Sequence, residues 1–452
     1  MRPPGVIVIP LGDEVLLQVL EEARVVLDTV GVVVEHQEAS GLLLAAGARP
    51  SEGRLLIDPS MVEGALQTAP SEFHVYDREG EGALVVGGGA RLFVPGSAAV
   101  RVWDFEAHQP RSSTLEDCAR FARLTDALSD FGLQSTCVVP CDLPEEEADR
   151  RRLEQALEHC KKPIVTGTLH EGSFGAMHAL LASVRGGAEA LRRRPLAIFD
   201  CCPSAPLSWS ELTCGALIDC ARAGIPAEII SVPMTGATAP VTLLGALTQH
   251  TAENLSGLVI HQLAAPGAPV VHGSCASAFD MRNGTTPLGA VTTMLLNMAT
   301  AQVGRHLGLP THAYMGLSDS KLPDYQAGLE SGCGALLAAL ADHDVVAGAG
   351  MLDFVGCQSL EKLVLDHEAV SMALRAAKGL ERREETLGLD VIRDGVAEGQ
   401  FLKLDHTRRW FREELDFPGR TIDRRDGVTW LADGGRSAAE RAHEEVRRLL
   451  GA

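Results

Sequence analysis

The chain has few aromatic residues, no long apolar run and a shortage of basic residues. Aromatic residues make up 4% of its 452 residues, so the position of each one is informative. Its 40 Lys and Arg against 60 Asp and Glu give a formal net charge of −20, which repels nucleic acids and anionic membrane surfaces. No apolar run reaches the roughly 18 to 20 residues of a membrane span. The composition therefore indicates a soluble enzyme without a nucleic-acid or membrane partner.

The cysteines and the N-terminal residues indicate where the protein works. Eleven cysteines, an odd number scattered without a spacing rule, are typical of buried thiols in a reducing compartment rather than of a disulfide framework. The segment Met1–Pro10 has one Arg and a very short apolar patch, and acidic residues follow it instead of a small-residue cleavage site. We therefore predict no signal peptide and a cytoplasmic location.

The pattern of the chain changes near residue 113. Residues 1–112 begin with three helical stretches and continue with short β-like runs separated by Gly-rich turns, which predicts an N-terminal helical and small β appendage. Thr114 and Asp117 form a capping-box pattern that opens the next helix. We assign residues 113–358 to a barrel core and residues 359–452 to a C-terminal helical segment packed on it, which ends in an amphipathic helix from Ser437 to Leu450.

Seven apolar runs, each followed by a helical stretch, indicate a parallel sheet covered on both faces. The runs are Leu133–Val139, Pro163–Gly167, Leu196–Cys201, Ala227–Val232, Pro269–Gly273, Thr311–Gly316 and Val345–Gly350. An open doubly wound sheet is the alternative, but no Gly-x-Gly-x-x-Gly follows a first strand and the count approaches eight. We therefore predict an α/β fold with a (β/α)8 TIM barrel. The eighth strand is expected around Ala99–Trp103 or near Phe354.

Three generic site chemistries find little support in the sequence. A zinc site at His272–Cys275 or Cys201–Cys202 lacks confirming ligands, so we expect buried cysteines and no metal. Lys321 lies in a polar loop, where a salt bridge fits better than a Schiff base, which requires a desolvated lysine. Gly348–Gly350 follows the seventh run, but no neighbouring Arg or Lys supports phosphate binding there.

Four stretches carry a more specific signal, because of the order in which they occur along the chain. They are Thr235–Leu247, Asp280–Gly284, Asp319–Glu330 and Gly350–Asp353. Together they resemble the trimethylamine methyltransferase (MttB) superfamily. The likeness extends over nearly the whole chain through Leu42–Ala48, Ala69–Phe73, His406-Thr407, Pro418, Asp423-Arg424 and Trp430. The resemblance implies a methyltransferase barrel that passes a methyl group from an amine to a separate corrinoid protein.

The absence of pyrrolysine indicates the branch of the superfamily. The founding branch uses pyrrolysine for trimethylamine, whereas this sequence contains only the twenty ordinary residues. The chain therefore resembles the non-pyrrolysine branch, which implies a quaternary amine such as glycine betaine and cob(I)alamin carried by a partner protein. A quaternary amine leaves as a neutral amine, so no general acid is needed. We expect a homo-oligomer without a tightly bound metal; the alternative is a non-catalytic barrel that binds a methylated amine as a sensor or scaffold.

A quaternary ammonium has no N–H, so it is held by aromatic faces and carboxylates. Residues just after the strands of a barrel face its mouth and are the candidates for this site, although core packing or a salt bridge is the alternative for each. The substrate-binding candidates are Tyr314, Phe354, Trp209 and Phe279 for the cage, Asp200 and Asp104 near the cation, and His272 and Arg282 for a substrate carboxylate. The catalytic candidates are Glu330 and Asp353, and the corrinoid-facing candidates are Gly236, Thr238 and Asp319.

Overall fold

Eight parallel strands form the centre of the molecule in a computed structural model, which describes residues 6–384 and 386–451. Numbered along the chain, the strands are β1 Leu92–Pro95, β2 Gln134–Ser135, β3 Ile164–Gly167, β4 Ala197–Cys201, β5 Ala227–Ser231, β6 Val270–Ser274, β7 Thr311–Tyr314 and β8 Val345–Ala349. Their order in the sheet is β1-β8-β7-β6-β5-β4-β3-β2. A parallel bridge between Phe93 and Phe131 brings β1 against the chain entering β2, so the sheet closes into a TIM barrel.

Sixteen helices are assigned within the described residues. They are α1 Asp13–Thr29, α2 Gln37–Ala45, α3 Pro59–Thr68, α4 Leu115–Ala127, α5 Glu145–His159, α6 Ser173–Arg185, α7 Ala188–Arg193, α8 Glu211–Ala223, α9 Leu243–Ala264, α10 Val291–His306, α11 Tyr325–Leu340, α12 Leu360–Lys378, α13 Leu389–Glu398, α14 Asp405–Glu414, α15 Gly427–Ala432 and α16 Ala438–Leu450. The predicted capping box is present at α4, where Thr114 and Asp117 exchange side-chain and backbone hydrogen bonds. Within residues 6–384 and 386–451, no helix combines the length and apolar character needed to cross a bilayer.

The barrel sheet confirms the fold class and corrects one strand. Each of the seven predicted runs coincides with a barrel strand to within one residue at its end or contains it, but the remaining strand is β1, not Ala99–Trp103 or the region of Phe354. Phe93 and Val94 of β1 are both buried, as a strand between a barrel interior and a helix layer requires. The strand Arg101–Asp104 buries only Val102 and belongs to a separate sheet, and Phe354 lies in a turn. The barrel therefore takes β1 from the range 1–112 that we assigned to the appendage.

An apolar layer closes the lower half of the barrel. Val165, Ile198, Val271 and Val345 point inward from four strands and form one buried cluster with Val94. The antiparallel hairpin of strands Phe73–Tyr76 and Ala83–Val86 adds its own buried side chains to this cluster. The hairpin bonds to residues that precede strands, such as Pro195 before β4, so it covers the amino-terminal end of the barrel. The carboxyl-terminal end is left for the site.

Short strands beyond the barrel shape its carboxyl-terminal end. A four-stranded sheet of Met351–Leu352, Cys357–Gln358, Arg101–Asp104 and Gln109–Ser112 follows β8 and β1. Met234–Thr235 pairs with Ser277–Ala278 in the loops after β5 and β6. The other short strands are Val33–Val34, paired with Ser208–Trp209, and the hairpin of Arg49–Ser51 and Arg54–Leu56. The first five residues of Met1–Pro10, in which we predict no signal peptide, lie outside the described residues.

Candidate active site

Two carboxyl groups lie side by side inside the upper half of the barrel. Asp200 on β4 and Glu228 on β5 are paired across neighbouring strands, so their side chains project to the same face of the sheet. That face is the interior, because Ile198, two residues before Asp200, belongs to the apolar cluster within the barrel. Glu228 is fully buried, whereas Asp200 remains partly exposed. The carboxyl pair therefore lies in the layer of interior side chains directly above the apolar layer.

A histidine and a tyrosine on β7 complete this group. His312 is paired across the sheet with Val345, an interior residue, and its Nε2 lies 3.9 Å from Oε2 of Glu228. Tyr314, two residues later, points to the same side and meets the His312 ring edge-on at a centroid distance of 5.3 Å. Tyr314 is partly exposed, so its ring borders the open part of the interior.

Burial decides the protonation states of the group. Burial raises the pKa of Asp200 to about 7, and burial together with the neighbouring Asp200 raises the pKa of Glu228 well above its ordinary value. Burial lowers the pKa of His312 to about 3, so its imidazole is neutral near pH 7. Burial also raises the pKa of Tyr314, which keeps its phenol neutral. The carboxyl pair therefore holds a proton at neutral pH, and ionisation of Asp200 makes the site negative.

The group has unusual spare hydrogen-bonding capacity. Within the described residues, Oδ1 of Asp200, both carboxyl oxygens of Glu228 and both ring nitrogens of His312 are buried without a hydrogen-bond partner. Unpaired buried polar groups cost about 1–3 kcal/mol each, so native proteins keep few of them unless they serve a purpose. Three such side chains facing one interior are an arrangement that accepts a polar or cationic ligand.

The surrounding thiols are not ionised. Cys202 follows β4 and Cys275 follows β6, and both are partly exposed near the carboxyl-terminal end of the barrel. Burial raises the pKa of the Cys275 thiol to about 12 and that of Cys202 well above its ordinary value. All eleven cysteines are free. Within the described residues, no group of three His, Cys, Asp or Glu side chains is arranged to hold a metal ion.

The predicted residues after β8 form ion pairs instead of an open cage. Nη2 of Arg101 donates to Oδ2 of Asp353 at 2.6 Å, and Nζ of Lys321 lies 3.9 Å from the other carboxylate oxygen. The same ammonium stands 4.1 Å from the ring centroid of Phe354, so a lysine already occupies that face. Asp353, Phe354 and Val355 all have positive φ angles, of 50°, 54° and 59°, a costly backbone that holds this turn in a particular shape.

Asp319 and Glu330 connect loops at the carboxyl-terminal end of the barrel. Asp319 accepts hydrogen bonds from the backbone N–H groups of Leu288 and Gly289, at 3.0 and 2.8 Å. Glu330 in turn accepts from Oγ of Ser318 and from the backbone N–H of Asp319, at 2.6 and 2.8 Å. These bonds fasten the loop after β6 to the loop after β7. The Glu330 carboxylate is thus engaged with protein groups, which favours a role in positioning these loops over a direct role in catalysis.

Two predicted binding residues face away from the barrel interior. Trp209 is fully buried among the outer helices, packs against Gly257 of α9 and donates from Nε1 to Oγ of Ser256 at 2.9 Å. His272 follows the interior residue Val271 and so points outward, since side chains alternate along a strand. Its ring lies 5.3 Å from that of His250 on α9, and burial lowers its pKa to about 4. Both expectations are thus corrected by the direction of the side chains.

Two charged candidates are committed to surface partners. Asp104 accepts from the backbone N–H of Ala107 in a turn and lies 3.5 Å from Nε of Arg111, within the sheet outside the barrel. The Arg282 side chain is 87% exposed and is bonded to Asp280. Neither side chain contributes to the interior group, because each is held by a neighbour in its own loop.

The remaining candidates lie in loops after β5 and β6. Gly236 has a φ of 84°, a left-handed conformation that favours glycine. Thr238 turns its hydroxyl back to accept from the Met234 N–H at 3.0 Å, which stiffens the same loop. Phe279 is half-buried directly after the short strand Ser277–Ala278. Gly236 and Thr238 stay candidates for a corrinoid-facing loop, and Phe279 stays a candidate for the substrate cage.

Sequence reasoning missed Glu228 and His312 because it searched after the strands and not within them. A signal was present, since Glu228 interrupts the apolar run Ala227–Val232 and His312 interrupts Thr311–Gly316. A charged residue in a strand covered on both faces is rarely buried without a purpose.

Comparison with known proteins agrees with this architecture. The model of the family described as trimethylamine methyltransferase (MTTB) matches residues 6–452. The trimethylamine methyltransferase MttB of Desulfitobacterium hafniense (strain DSM 10664 / DCB-2) is 32% identical over 441 residues, covering 97% of this chain and 88% of the relative. The glycine betaine methyltransferase of D. hafniense (strain Y51) is 30% identical over 444 residues, covering 97% of this chain and 92% of the relative.

A solved structure shows the same fold at much lower identity. The Methanosarcina barkeri monomethylamine methyltransferase (MtmB) superposes with a TM-score of 0.54 and 9% identity, over 98% of this chain and 88% of that one. Since the family model and both relatives span nearly the whole chain, the protein is a methyltransferase that belongs to the trimethylamine methyltransferase (MTTB) family.

Proposed function

We propose that this methyltransferase takes a methyl group from a quaternary ammonium substrate of the glycine betaine type and passes it to a corrinoid on a separate protein. The observation that carries the proposal is the Asp200–Glu228 pair inside the barrel, where Oδ1 of Asp200 and both carboxyl oxygens of Glu228 are buried without a hydrogen-bond partner among the described residues. A cation without N–H groups suits such a pair, because it interacts through charge and needs no directed hydrogen bond.

The neighbouring groups favour a permanent cation over a neutral amine. Tyr314 offers an aromatic ring next to the carboxyl pair, the second component of a site for quaternary ammonium. His312 is neutral, so it adds no repulsive charge. Relatives in the family act on trimethylamine or on glycine betaine by name. The resemblance to the branch without pyrrolysine favours the quaternary class for this chain.

The chain's task is to bind, orient and desolvate the substrate. A corrinoid on the partner protein would supply a cobalt nucleophile for the methyl group, and the amine would be released in neutral form. Because the leaving group needs no proton, none of the interior side chains has to act as a general acid. The carboxyl pair holds the cationic nitrogen within the barrel, which fixes the direction in which its methyl groups point.

The mouth of the barrel fits an acceptor that arrives from outside. Asp200, Cys202 and Tyr314 are all partly exposed, so the interior group is reachable through the carboxyl-terminal end. The raised pKa values of Cys202 and Cys275 keep both thiols protonated, and a protonated thiol is a poor methyl acceptor. Neither thiol therefore competes with the corrinoid for the methyl group. We also keep the prediction that it works in the cytoplasm.

An anaerobic assay with free cob(I)alamin tests the proposal. The formation of methylcob(III)alamin is followed spectroscopically with glycine betaine, carnitine, proline betaine, choline, dimethylsulfoniopropionate and trimethylamine. We expect turnover with a quaternary ammonium and not with trimethylamine. Turnover with trimethylamine alone would refute the substrate class. The sensor or scaffold alternative predicts a thermal shift with a quaternary compound and no methyl transfer, including when candidate corrinoid proteins are added.

A further inference from the structure

The C-terminal arm, residues 386–435, exposes most of its apolar side chains. Helix α13 buries only Gly395, α14 and α15 bury no residue, and the loop between α14 and α15 buries Thr421. Its exposed large apolar side chains are Leu387, Leu389, Ile392, Val396, Phe401, Leu402, Leu415, Phe417, Val428 and Leu431. Val396 and Leu402 are 72% and 83% exposed. Exposed apolar surface of this extent is typical of an interaction site.

Helix α13 presents the most regular part of this surface. Leu389, Ile392 and Val396 are spaced by three and four residues, so they lie along one face of the helix. All three are exposed, and we call this face the α13 stripe. The chain fixes the end of α13 by packing the Phe401 ring against Gly395, where even a Cβ atom would clash. The helix is thus held in place while its stripe is left open.

The same chain also carries a matching apolar groove. A cavity of about 690 Å³ lies between α11, α12 and the start of α16. Its walls include Leu336 and Met372, which are both exposed, and Ala373 and Ala376. At its base, Lys362 and Asp366 form a buried ion pair. The other two lining carboxylates, Glu368 and Asp324, accept hydrogen bonds from Oγ1 of Thr421 and from the backbone N–H of Ala327. We call this feature the α11–α12 groove.

The N-terminal segment extends the apolar surface beside this groove. Val6 donates its backbone N–H to the carbonyl of Ala377 near the end of α12, and Val8 donates to Leu340 at the end of α11. These bonds seat the segment against both helices. The side chains of residues 6–9, all Val or Ile, remain exposed.

We propose that two copies of this chain associate so that the α13 stripe of each lies in the α11–α12 groove of the other. A two-fold arrangement lets each copy give one stripe and receive one, so both apolar surfaces of both copies are covered. A different partner protein that covers only the stripe leaves the groove exposed, and one that covers only the groove leaves the stripe exposed. The docking is that of an amphipathic helix in an apolar groove.

The charge distribution is compatible with this association. The arm, residues 386–435, contains 8 Lys and Arg and 10 Asp and Glu, a net charge of −2. The rest of the chain holds the remaining 32 basic and 50 acidic residues, a net charge of −18. The arm therefore approaches an acidic second copy without strong repulsion, whereas two acidic barrel surfaces repel each other. The arm is the part of the chain best suited to make the contact.

Sedimentation of the full chain and of three variants tests the proposal. We expect the unaltered chain to sediment at twice its 48.0 kDa mass. Val396→Asp in the stripe and Met372→Asp in the groove should each weaken the dimer at least about 30-fold, as at central interface positions. Leu17→Asp on α1 is the matched control, since Leu17 is 53% exposed and belongs to neither surface, and it should leave the dimer unchanged. Circular dichroism confirms that each variant is folded.

Mixing the two interface variants identifies the contact itself. A dimer of one V396D chain and one M372D chain contains one contact in which both the stripe and the groove are unaltered. The mixture should therefore form more dimer than either variant alone at the same total concentration. A monomeric unaltered chain, or a V396D chain that stays as dimeric as the L17D control, would overturn the proposal. Two weakened variants that show no recovery on mixing would show that stripe and groove do not meet.

Discussion

The protonation of Asp200 makes a prediction about how methyl transfer depends on pH. A quaternary ammonium has no titrating proton, so its binding can follow pH only through the protein. Burial raises the pKa of Asp200 from 3.8 to about 7, which means that its negative charge is lost as the pH falls through neutrality. Since the ionised form attracts the cation, we expect kcat/KM to be level above about pH 8 and to fall about tenfold per pH unit below about 6.

The magnitude of the Asp200 effect follows from its position beside the cation. A unit charge about 5 Å from another at an effective dielectric constant of about 20 contributes about 3 kcal/mol. Asp200→Asn should therefore lower kcat/KM at pH 8 on the order of 100-fold and flatten the profile between pH 6 and 8. Calorimetric titration of the substrate without any methyl acceptor should show the same pH dependence for binding alone.

A matched control separates this effect from the general loss of a carboxylate. Asp219 on α8 also has a pKa raised by burial, but it lies in the outer helix layer. Asp219→Asn should keep the wild-type profile. If Asp200→Asn and the unaltered enzyme give parallel profiles, or if the substitution leaves kcat/KM at pH 8 unchanged, Asp200 does not hold the cation.

Substitutions at four further positions test other parts of the site and its support. Glu228→Gln should remove part of the fall in unfolding free energy between pH 5 and 8. Because the pKa of Glu228 is raised in the folded state, the folded protein keeps this proton to a higher pH than the unfolded chain does. The carboxyl group therefore contributes stability at low pH that is lost as the pH rises. Tyr314→Phe should retain KM within about threefold and Tyr314→Ala should raise it about tenfold or more, since the ring face is what the cation contacts. Trp209→Phe should cost about 2 kcal/mol in chemical denaturation through the lost bond to Ser256 and lost packing, with kcat/KM unchanged. Glu330→Gln should increase proteolysis in the loop after β7 and lower kcat more than it raises KM, whereas equal effects on both would contradict a positioning role.

The strands of the barrel were largely predictable because each is covered on both faces. Such strands appear as nearly continuous apolar runs, and seven of them stand out between charged helices. β1 was not predicted because it is a run of only four residues, Leu92–Pro95, between Gly-rich turns and near other strands of the same length. Leu92–Pro95 is wholly apolar, whereas Arg101–Asp104 has a charged residue at each end, but it is the bridge to Phe131 that identifies β1 as the strand that closes the barrel.

The site was less predictable because a side chain's role depends on the pleat of its strand. Asp200 and Tyr314 were found at strand ends and both face the interior. His272 was expected there too, but it is one residue from the inward-facing Val271 and so points to α9. A shift of one residue moves a side chain to the other face of a sheet. The nearness of a residue to the end of a strand does not reveal which face its side chain takes.

The barrel interior has an apolar lower half and a polar upper half, and this division allows a stable fold to hold the two carboxyl groups. Two carboxyl groups with raised pKa values destabilise the fold when they ionise, so they require a scaffold that is stable without them. The lower half supplies that scaffold, since Ile198 and Val271 pack with the hairpin at the amino-terminal end. Asp200 lies only two residues beyond Ile198 on the same strand, so the change from apolar packing to a polar interior occurs within one layer of side chains. A substitution below that layer should therefore act on folding, and one above it on substrate binding, although both positions share a strand.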